Sequence, residues 1–97
     1  MITRIVRMVF EESKTDEFLL IFNGAKAKIK GFDGCEDLEL HRDHHNKNVY
    51  YTKSLWQSQT HLEAYRQSEL FKSTWTKTKA LFADKPMAFS LDKIEEK

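Results

Sequence analysis

Three of the four histidines lie within the stretch HRDHHNKN, residues 41–48, together with an aspartate. His41, Asp43 and His45 occupy every second position, so an extended strand would place all three on one face. Two histidines and a carboxylate can form the open site of a non-haem iron enzyme. However, residues i and i+4 of a strand lie about 13 Å apart, which is too far to share one metal without a bend. We therefore interpret the stretch as a hairpin tip and predict no metal site.

Two aromatic side chains with polar groups are stronger candidates for chemistry. Trp56 ends a predicted strand directly before a helix, so its indole either seals this corner of the core or lines a pocket with its N–H directed inward. Tyr65 lies on the following helix, and a phenol beside an apolar pocket can donate a hydrogen bond or carry a proton. Arg66 and Lys72 are predicted to lie on the outer face of this helical segment as solvated charges.

Conventional cofactor and nucleophile signatures are absent from the sequence. It contains no glycine-rich phosphate loop, no G-x-S-x-G elbow and no C-x-x-C pair, so no cofactor is predicted. The single cysteine, Cys35, has no identifiable basic partner, and we expect it to be buried and unreactive.

The composition limits the class of protein. The 97 residues fit one domain spanning 1–97, with 40% hydrophobic and 32% charged residues. A net charge of +1 with scattered lysines and arginines gives no case for nucleic-acid binding. One cysteine excludes an internal disulfide and suits a reducing compartment. No apolar run approaches the ~18–20 residues of a membrane span. We expect a cytoplasmic protein.

The elements that position these residues follow from the hydrophobic pattern. Residues 2–10 are rich in Ile, Val and Phe and predict an inner strand. A helix capped by Ser13 or Thr15 follows, and its apolar positions, which include Phe22, repeat at i, i+4, i+7 and i+11. The stretch KGFDG, with two glycines, ends this helix.

Residues 35–43 and 48–56 predict two further strands, joined by the hairpin described above. Ser58 is positioned to cap a second helical segment, which Ser68 interrupts. The positions Phe71, Trp75, Thr78 and Phe82 repeat the apolar pattern of a helix, and Pro86 ends the segment before a fourth strand, MAFSLDKI.

The resulting order is βαββαβ, which predicts an α+β, ferredoxin-like fold. In this fold a four-stranded antiparallel sheet carries its helices on one face. The other face would present Tyr51 and Leu55 without a cover. Uncovered apolar sheet surface is usually an interface, so we expect a homodimer in which this open face packs against its copy.

The stretches FDGCEDLELHRD and NVYYTKSLWQSQTHLEAYRQSELFKSTW resemble the antibiotic biosynthesis monooxygenase family of small dimeric α+β barrels. The most specific features are Gly34-Cys35, Trp56 with Ser58 two residues later, and Ser68 followed by Phe71. The resemblance extends over nearly the whole chain. It implies a homodimer whose two sheets form a barrel, with a ligand cavity between the sheet and the helices of each subunit.

Some members of this family oxidise polycyclic aromatic phenols to quinones with molecular oxygen and without metal or flavin. The resemblance thus implies a cofactor-independent monooxygenase acting on a small aromatic or quinol-type compound. It places Trp56 and Tyr65 as catalytic residues, with Phe22, Phe71 and Trp75 lining the substrate pocket. The alternative is a non-enzymatic dimeric protein of the same fold that binds a small ligand, such as a stress-related protein.

Two other branches of the family match less well. Haem-degrading members carry an axial histidine where this chain has Trp75 and an asparagine in the first strand, which residues 2–10 lack; only Trp56 agrees. Haem degradation is therefore disfavoured. Members that act on small signalling molecules often carry a histidine where this chain has Tyr65. His61, one turn earlier, is expected on an exposed face, so a mechanism that needs an imidazole base there is weakened.

Overall fold

The computed structural model describes residues 1–95 of the chain. A short 3-10 turn, Glu12–Lys14, precedes the first helix. The strands and helices are β1 (Ile2–Val9), α1 (Thr15–Lys30), β2 (Cys35–Arg42), β3 (Val49–Trp56), α2 (Gln59–Arg66), α3 (Glu69–Lys79) and β4 (Met87–Asp92). Within residues 1–95, no helix combines the length and apolar character that crossing a membrane requires.

The four strands form one antiparallel sheet in the order β2-β3-β1-β4, which confirms the predicted ferredoxin-like fold. Strand β1 is an inner strand because it pairs with both β3 and β4. Its residue Arg4 lies opposite Ser54 on one neighbour and Ser90 on the other. Since side chains alternate along a strand, this register divides the sheet into a face covered by helices and an open face.

The core lies between the covered face and the helices. Met8 and Tyr50 from the strands pack in one cluster with Phe18 and Phe22 from α1. Phe10 is fully buried, and its ring stacks on that of Phe18 with 4.2 Å between centroids. Aromatic rings supply much of the buried area, and each such side chain contributes on the order of 2–3 kcal/mol by leaving water.

The second helical segment is divided in two, as the position of Ser68 predicted. Ser58 and Ser68 each cap a helix: their Oγ atoms accept hydrogen bonds from the backbone N–H of His61 at 3.2 Å and of Phe71 at 3.1 Å. Helix α3 ends at Lys79, earlier than the apolar repeat suggested. Phe82 instead forms an isolated β-bridge with Phe10.

The cap predicted for α1 was wrong. Lys14 occupies the N-cap position and makes no side-chain cap hydrogen bond. Ser13 lies inside the preceding 3-10 turn, and the hydroxyl of Thr15 donates backwards to the carbonyl of Glu12. The turn itself leads the backbone into the helix, so neither hydroxyl is placed to accept from the first helical N–H groups.

Candidate functional site

A cavity of about 270 Å³ lies between the covered face of the sheet and all three α-helices. Most of its lining side chains are apolar or aromatic. The polar or charged ones, apart from Tyr65, are Arg4, Thr52, Ser54, Arg66, Thr74 and Thr78. An apolar pocket with a few directed polar groups is typical of a small-molecule site.

Trp56 lines this cavity from the last position of β3. Its side chain is 0% exposed, and its indole N–H donates to Ser54 Oγ at 3.0 Å. The N–H that the sequence suggested would point into the pocket is therefore already used. Ser54 lines the cavity and accepts this bond, so its own hydroxyl hydrogen can still be donated to a ligand.

The corner around Trp56 depends on Gly34, whose φ of +87° belongs to the left-handed region. A Cβ atom at this position would collide with the imidazole of His61. The carbonyl of Gly34 accepts a hydrogen bond from the backbone N–H of Gln57 at 2.9 Å. This close packing ties the start of β2 to the end of β3 and so fixes the position of Trp56.

Tyr65 lies against Trp56, with their rings stacked at 4.9 Å between centroids. Phe71 and Phe32 approach the Tyr65 ring edge to face at 5.3 and 5.4 Å. Burial raises the pKa of Tyr65 to about 12, and the negative charge that Cys35 would carry adds to the effect. The phenol therefore stays protonated near neutral pH, which suits a hydrogen-bond donor and does not suit a general base.

The remaining pocket residues named from the sequence also line the cavity. Phe22 projects from α1 and is 6% exposed, whereas Phe71 and Trp75 project from α3. The rings of Phe71 and Trp75 are nearly parallel, with an interplanar angle of 13° and centroids 5.8 Å apart. The structure thus brings all five sequence-named residues to one cavity, while their catalytic and binding roles stay predictions.

Two arginines and the hydroxyl group of a serine at the cavity were missed. Arg66 was expected on an outer face, yet it lines the cavity because α2 ends there and the chain turns into α3. Arg4 could have been identified from the alternation of β1, since it is in phase with Val6 and Met8, which face the helices. No sequence signal singles out Ser54.

The histidine-rich stretch forms the predicted hairpin between β2 and β3. The Oδ2 of Asp43 accepts hydrogen bonds from the backbone N–H groups of His45 at 3.0 Å and Asn46 at 2.8 Å. These bonds lower the pKa of Asp43. His41 lies 2.9 Å from a carboxylate oxygen of Glu39. Across residues 1–95, no three His, Cys, Asp or Glu side chains converge as a metal site would require.

A second group outside the cavity combines the residue types of a hydrolase triad. The Nδ1 of His61 lies 2.7 Å from Ser58 Oγ, and its Nε2 lies 3.9 Å from Asp33. However, Ser58 Oγ already accepts the backbone N–H of His61, and the Asp33 side chain is 93% exposed. The group stabilises the start of α2, and it does not hold the serine as an activated nucleophile.

Cys35 is half-buried, which is less than the sequence predicted. Its Sγ lies 3.6 Å from the carbonyl of Asp37, and burial is the main reason that the pKa of its thiol is raised. A raised pKa leaves little thiolate at neutral pH, so the structure gives no reason to treat this cysteine as a nucleophile.

Known proteins share this fold. The family model for antibiotic biosynthesis monooxygenases matches residues 1–77. The fold is similar to the crystal structure of an antibiotic biosynthesis monooxygenase, with a TM-score of 0.92, 15% identity, and 98% of this chain and 100% of that chain covered.

Two further solved structures are similar over most of their length. One is a candidate antibiotic biosynthesis monooxygenase from Caulobacter crescentus, with a TM-score of 0.90, 25% identity and 97% and 90% coverage of the two chains. The other is a conserved protein from Methanosarcina mazei, with a TM-score of 0.90, 16% identity and 97% and 94% coverage. Comparison with curated protein sequences gave no match.

Proposed function

The chain belongs to the antibiotic biosynthesis monooxygenase family, and we propose that it oxidises a small aromatic phenol or quinol with molecular oxygen inside the cavity. The observation that supports this proposal is an aromatic-walled cavity with the hydroxyl-bearing side chains Tyr65 and Ser54 in its lining. The volume of about 270 Å³ lies just below the ~300–1,000 Å³ of pockets for drug-sized ligands. A substrate of one or two fused rings fits this size best.

The proposed reaction converts a phenol and one molecule of oxygen into a quinone and water, and it converts a quinol in the same way into a hydroxyquinone and water. One oxygen atom forms the new carbonyl on a ring carbon, and the other leaves as water with the two hydrogens taken from the ring C–H and the hydroxyl. The substrate supplies all four electrons. In this proposal the protein needs neither metal nor flavin, because the ionised phenol is itself the reductant.

Each cavity residue then has a defined task. Tyr65, protonated at neutral pH, donates a hydrogen bond to an oxygen atom of the substrate. The ring of Trp56 stacks on that of Tyr65 and holds the phenol in place. Phe22, Phe71 and Trp75 orient the aromatic ring and exclude water from the reacting atoms. The catalytic contribution comes from orientation and desolvation more than from proton abstraction.

Oxygen consumption with a panel of one- and two-ring quinols tests the proposal. The wild-type chain should consume oxygen and form a hydroxyquinone and water, without hydrogen peroxide, faster than buffer autoxidation forms the plain quinone, with added chelator having no effect. Tyr65→Phe should lower kcat/KM by about tenfold, the value of one hydrogen bond, whereas loss of a general base would cost about 10²–10⁴-fold. Tyr51→Phe, which removes a phenol on the open face, is the matched control.

Two results would count against these assignments. If no quinol in the panel is oxidised above the autoxidation rate, the monooxygenase proposal is wrong. If Tyr65→Phe and wild type turn over equally fast, Tyr65 has no part in the mechanism, although the cavity can still be the site.

A specific observation favours the second candidate, a non-enzymatic ligand-binding protein. Among residues 1–95, the cavity is lined by no histidine, aspartate or glutamate, and Tyr65 is too weak an acid to supply a base. Saturable binding of aromatic compounds without oxygen consumption would support this alternative.

The open face of the sheet supports a homodimer. Met87, Phe89 and Leu91 are large apolar residues on β4 with 50%, 43% and 49% of their surface exposed. Ile5 lies beside Phe89 on the neighbouring strand, so the apolar surface is continuous across β1 and β4. We propose that two subunits cover this face by packing sheet against sheet, as the family resemblance implies.

A further inference from the structure

A row of side chains, three of them polar, crosses the covered face of the sheet at the level of Arg4. The register places Leu38, Ser54, Arg4 and Ser90 side by side on β2, β3, β1 and β4. Arg4 is the charged member of this row, and it lines the cavity together with Ser54. Partial removal of a charged side chain from water costs free energy unless hydrogen bonds or an opposite charge replace its hydration, so Arg4 favours a ligand that supplies them.

The guanidinium of Arg4 retains most of its donors for a ligand. Its Nη1 donates to Ser90 Oγ at 2.9 Å, which uses one of the five N–H groups of an arginine. Within residues 1–95, Arg4 forms no ion pair with a carboxylate. Ala88 and Ser90, on the helix-facing side of β4, are exposed, and Ala88 lines the cavity, so solvent and a ligand can approach Arg4 from this side.

Arg66 brings a second guanidinium to the same cavity from the last turn of α2. Its Nη1 lies 3.1 Å from Glu63 Oε1, and both side chains are 43% exposed. A surface pair of this kind is worth about 0–1 kcal/mol, so Glu63 holds Arg66 only weakly. A ligand oxyanion can compete for the remaining donors of Arg66.

The two positive charges act on each other. The pKa of Arg4 is lowered, first by burial and then by the charge of Arg66, whereas Glu63 acts in the opposite direction. Two like charges beside apolar walls are unfavourable, since the low dielectric of the walls strengthens their repulsion. An anion bound between them replaces this repulsion by attraction to both charges. A planar guanidinium matches the two oxygens of a carboxylate, and a phenolate oxygen can accept single charge-assisted hydrogen bonds from it.

We propose that Arg4 and Arg66 form an oxyanion-binding pair at the mouth of the cavity, and that the ligand is a one- or two-ring aromatic compound bearing an ionised oxygen group. The aromatic body lies among the rings of Trp56, Phe71 and Trp75, and the oxyanion faces the solvent side. This inference rests on the proposed function, which it deepens. An arginine pair that keeps a phenol ionised supplies the electron-rich form that reacts with oxygen, in a cavity that lacks a side-chain base.

Binding of matched aromatic probes to the full chain tests the proposal. The probes are 2-naphthoate and 2-naphthamide, which share a ring system and differ in charge. Quenching of the fluorescence of Trp56 and Trp75 and calorimetry measure their affinities. Wild type should bind naphthoate about tenfold more tightly than naphthamide, because charge-assisted hydrogen bonds are the stronger ones.

Four variants test whether the preference for naphthoate comes from Arg4 and Arg66 or from the overall positive charge of the chain. Arg4→Gln and Arg66→Gln should each reduce the preference for naphthoate severalfold without changing naphthamide binding, which also shows that the cavity is intact. Glu63→Gln removes the competing carboxylate and should increase the preference. Arg42→Gln removes the same charge from a position outside the cavity lining and should behave as wild type.

A second arm distinguishes a phenolate from a carboxylate ligand. The phenolate form of 4-nitrophenol absorbs visible light, so its ionised fraction can be read in the bound and free states. A higher ionised fraction when bound to wild type, lost in Arg66→Gln, supports phenolate binding. A naphthoate preference with 4-nitrophenol bound in the neutral form supports the proposal with a carboxylate as the ligand group.

Equal affinity of wild type for naphthoate and naphthamide overturns the proposal, and so does failure of naphthoate to bind. Because the comparison of the two probes uses the wild-type chain alone, the proposal can be refuted even if the Arg4→Gln chain folds poorly. Binding also requires no oxygen. A naphthoate preference without quinol oxidation would refute the monooxygenase proposal alone, and quinol oxidation without the preference would refute the arginine pair alone.

Discussion

Replacing Tyr65 by phenylalanine should remove a loss of stability at alkaline pH. The pKa of this phenol is raised from 10.0 to about 12, mainly by burial. Below the unfolded-state pKa the phenol is protonated in the folded and the unfolded chain, so it contributes no pH dependence. As the pH rises from 10.0 towards 12, the unfolded chain loses this proton while the folded chain keeps it, and the free energy of unfolding falls.

The size of this effect follows from the two pKa values. Each pKa unit corresponds to about 1.36 kcal/mol, so the full loss approaches about 2.7 kcal/mol once the pH exceeds both values. At about pH 11 the loss from this one group is roughly 1.4 kcal/mol by the same relation. Residual solvent access to the ring reduces the expected value to about 1 kcal/mol.

Urea unfolding at about pH 9 and about pH 11 measures this loss. The difference in free energy of unfolding between wild type and Tyr65→Phe should shift by about 1 kcal/mol between the two conditions, with wild type the more sensitive to alkali. Tyr51→Phe, on the open face, serves as the control for losing a phenol elsewhere. A difference that stays constant with pH would mean that Tyr65 ionises normally. The hydroxyl would then lie in water, and its role as a buried donor would be refuted.

Two further predictions concern the surface and the second helical segment. Leu91→Glu places a charge on the open face and should convert the dimer into a monomer, as measured by light scattering. Leu20→Glu, at a 76% exposed position on α1, should stay dimeric. A monomeric wild type would contradict the proposed interface. Ser68→Ala removes the cap that accepts the N–H of Phe71 and should lower the free energy of unfolding by about 1 kcal/mol. Ser73→Ala, within the exposed side of the same helix, should not, and equal stabilities would show that the cap is unimportant.

The parts of the fold that local chemistry determines were predictable. Ser58 was identified as a cap and Ser68 as an interruption of the helical segment, because a serine before an apolar repeat favours accepting an N–H of the first turn; both serines cap a helix. The strands followed from runs of β-branched and aromatic residues, and the hairpin at Asp43 followed from its polar sequence. The side-chain cap predicted for α1 was wrong because the 3-10 turn before the helix takes the place of such a cap.

The candidate site was only partly predictable, because its polar groups come from elements far apart in the sequence. Arg66 follows Tyr65 directly and appeared to be a solvated charge on the far side of the helix. It reaches the cavity because the helix ends there, which shows only once α3 is packed against α1 and the sheet. Arg4 faces the cavity by strand alternation, but its neighbour Ser90 lies 86 residues away in the chain.

The same limit applies to the chemistry of Tyr65. Its position beside an apolar pocket suggested either a donor or a proton carrier, and the sequence could not separate the two. The two roles are distinguished by the rings of Trp56, Phe32 and Phe71, which surround the phenol. Burial among them raises its pKa to about 12. A group with this pKa gives up its proton too rarely near neutral pH to begin a reaction as a base.

Substrate ionisation therefore becomes the step on which the two candidate functions differ. Within residues 1–95 no lining side chain can accept a proton near neutral pH, so an oxygenase built on this cavity must bind a substrate that ionises through its surroundings. Arg4 and Arg66 can provide those surroundings, since nearby positive charge lowers the pKa of a bound phenol. A ligand-binding protein has no need to ionise its ligand. A phenol that becomes ionised on binding would favour the enzyme, and a phenol that stays neutral would favour the binding protein.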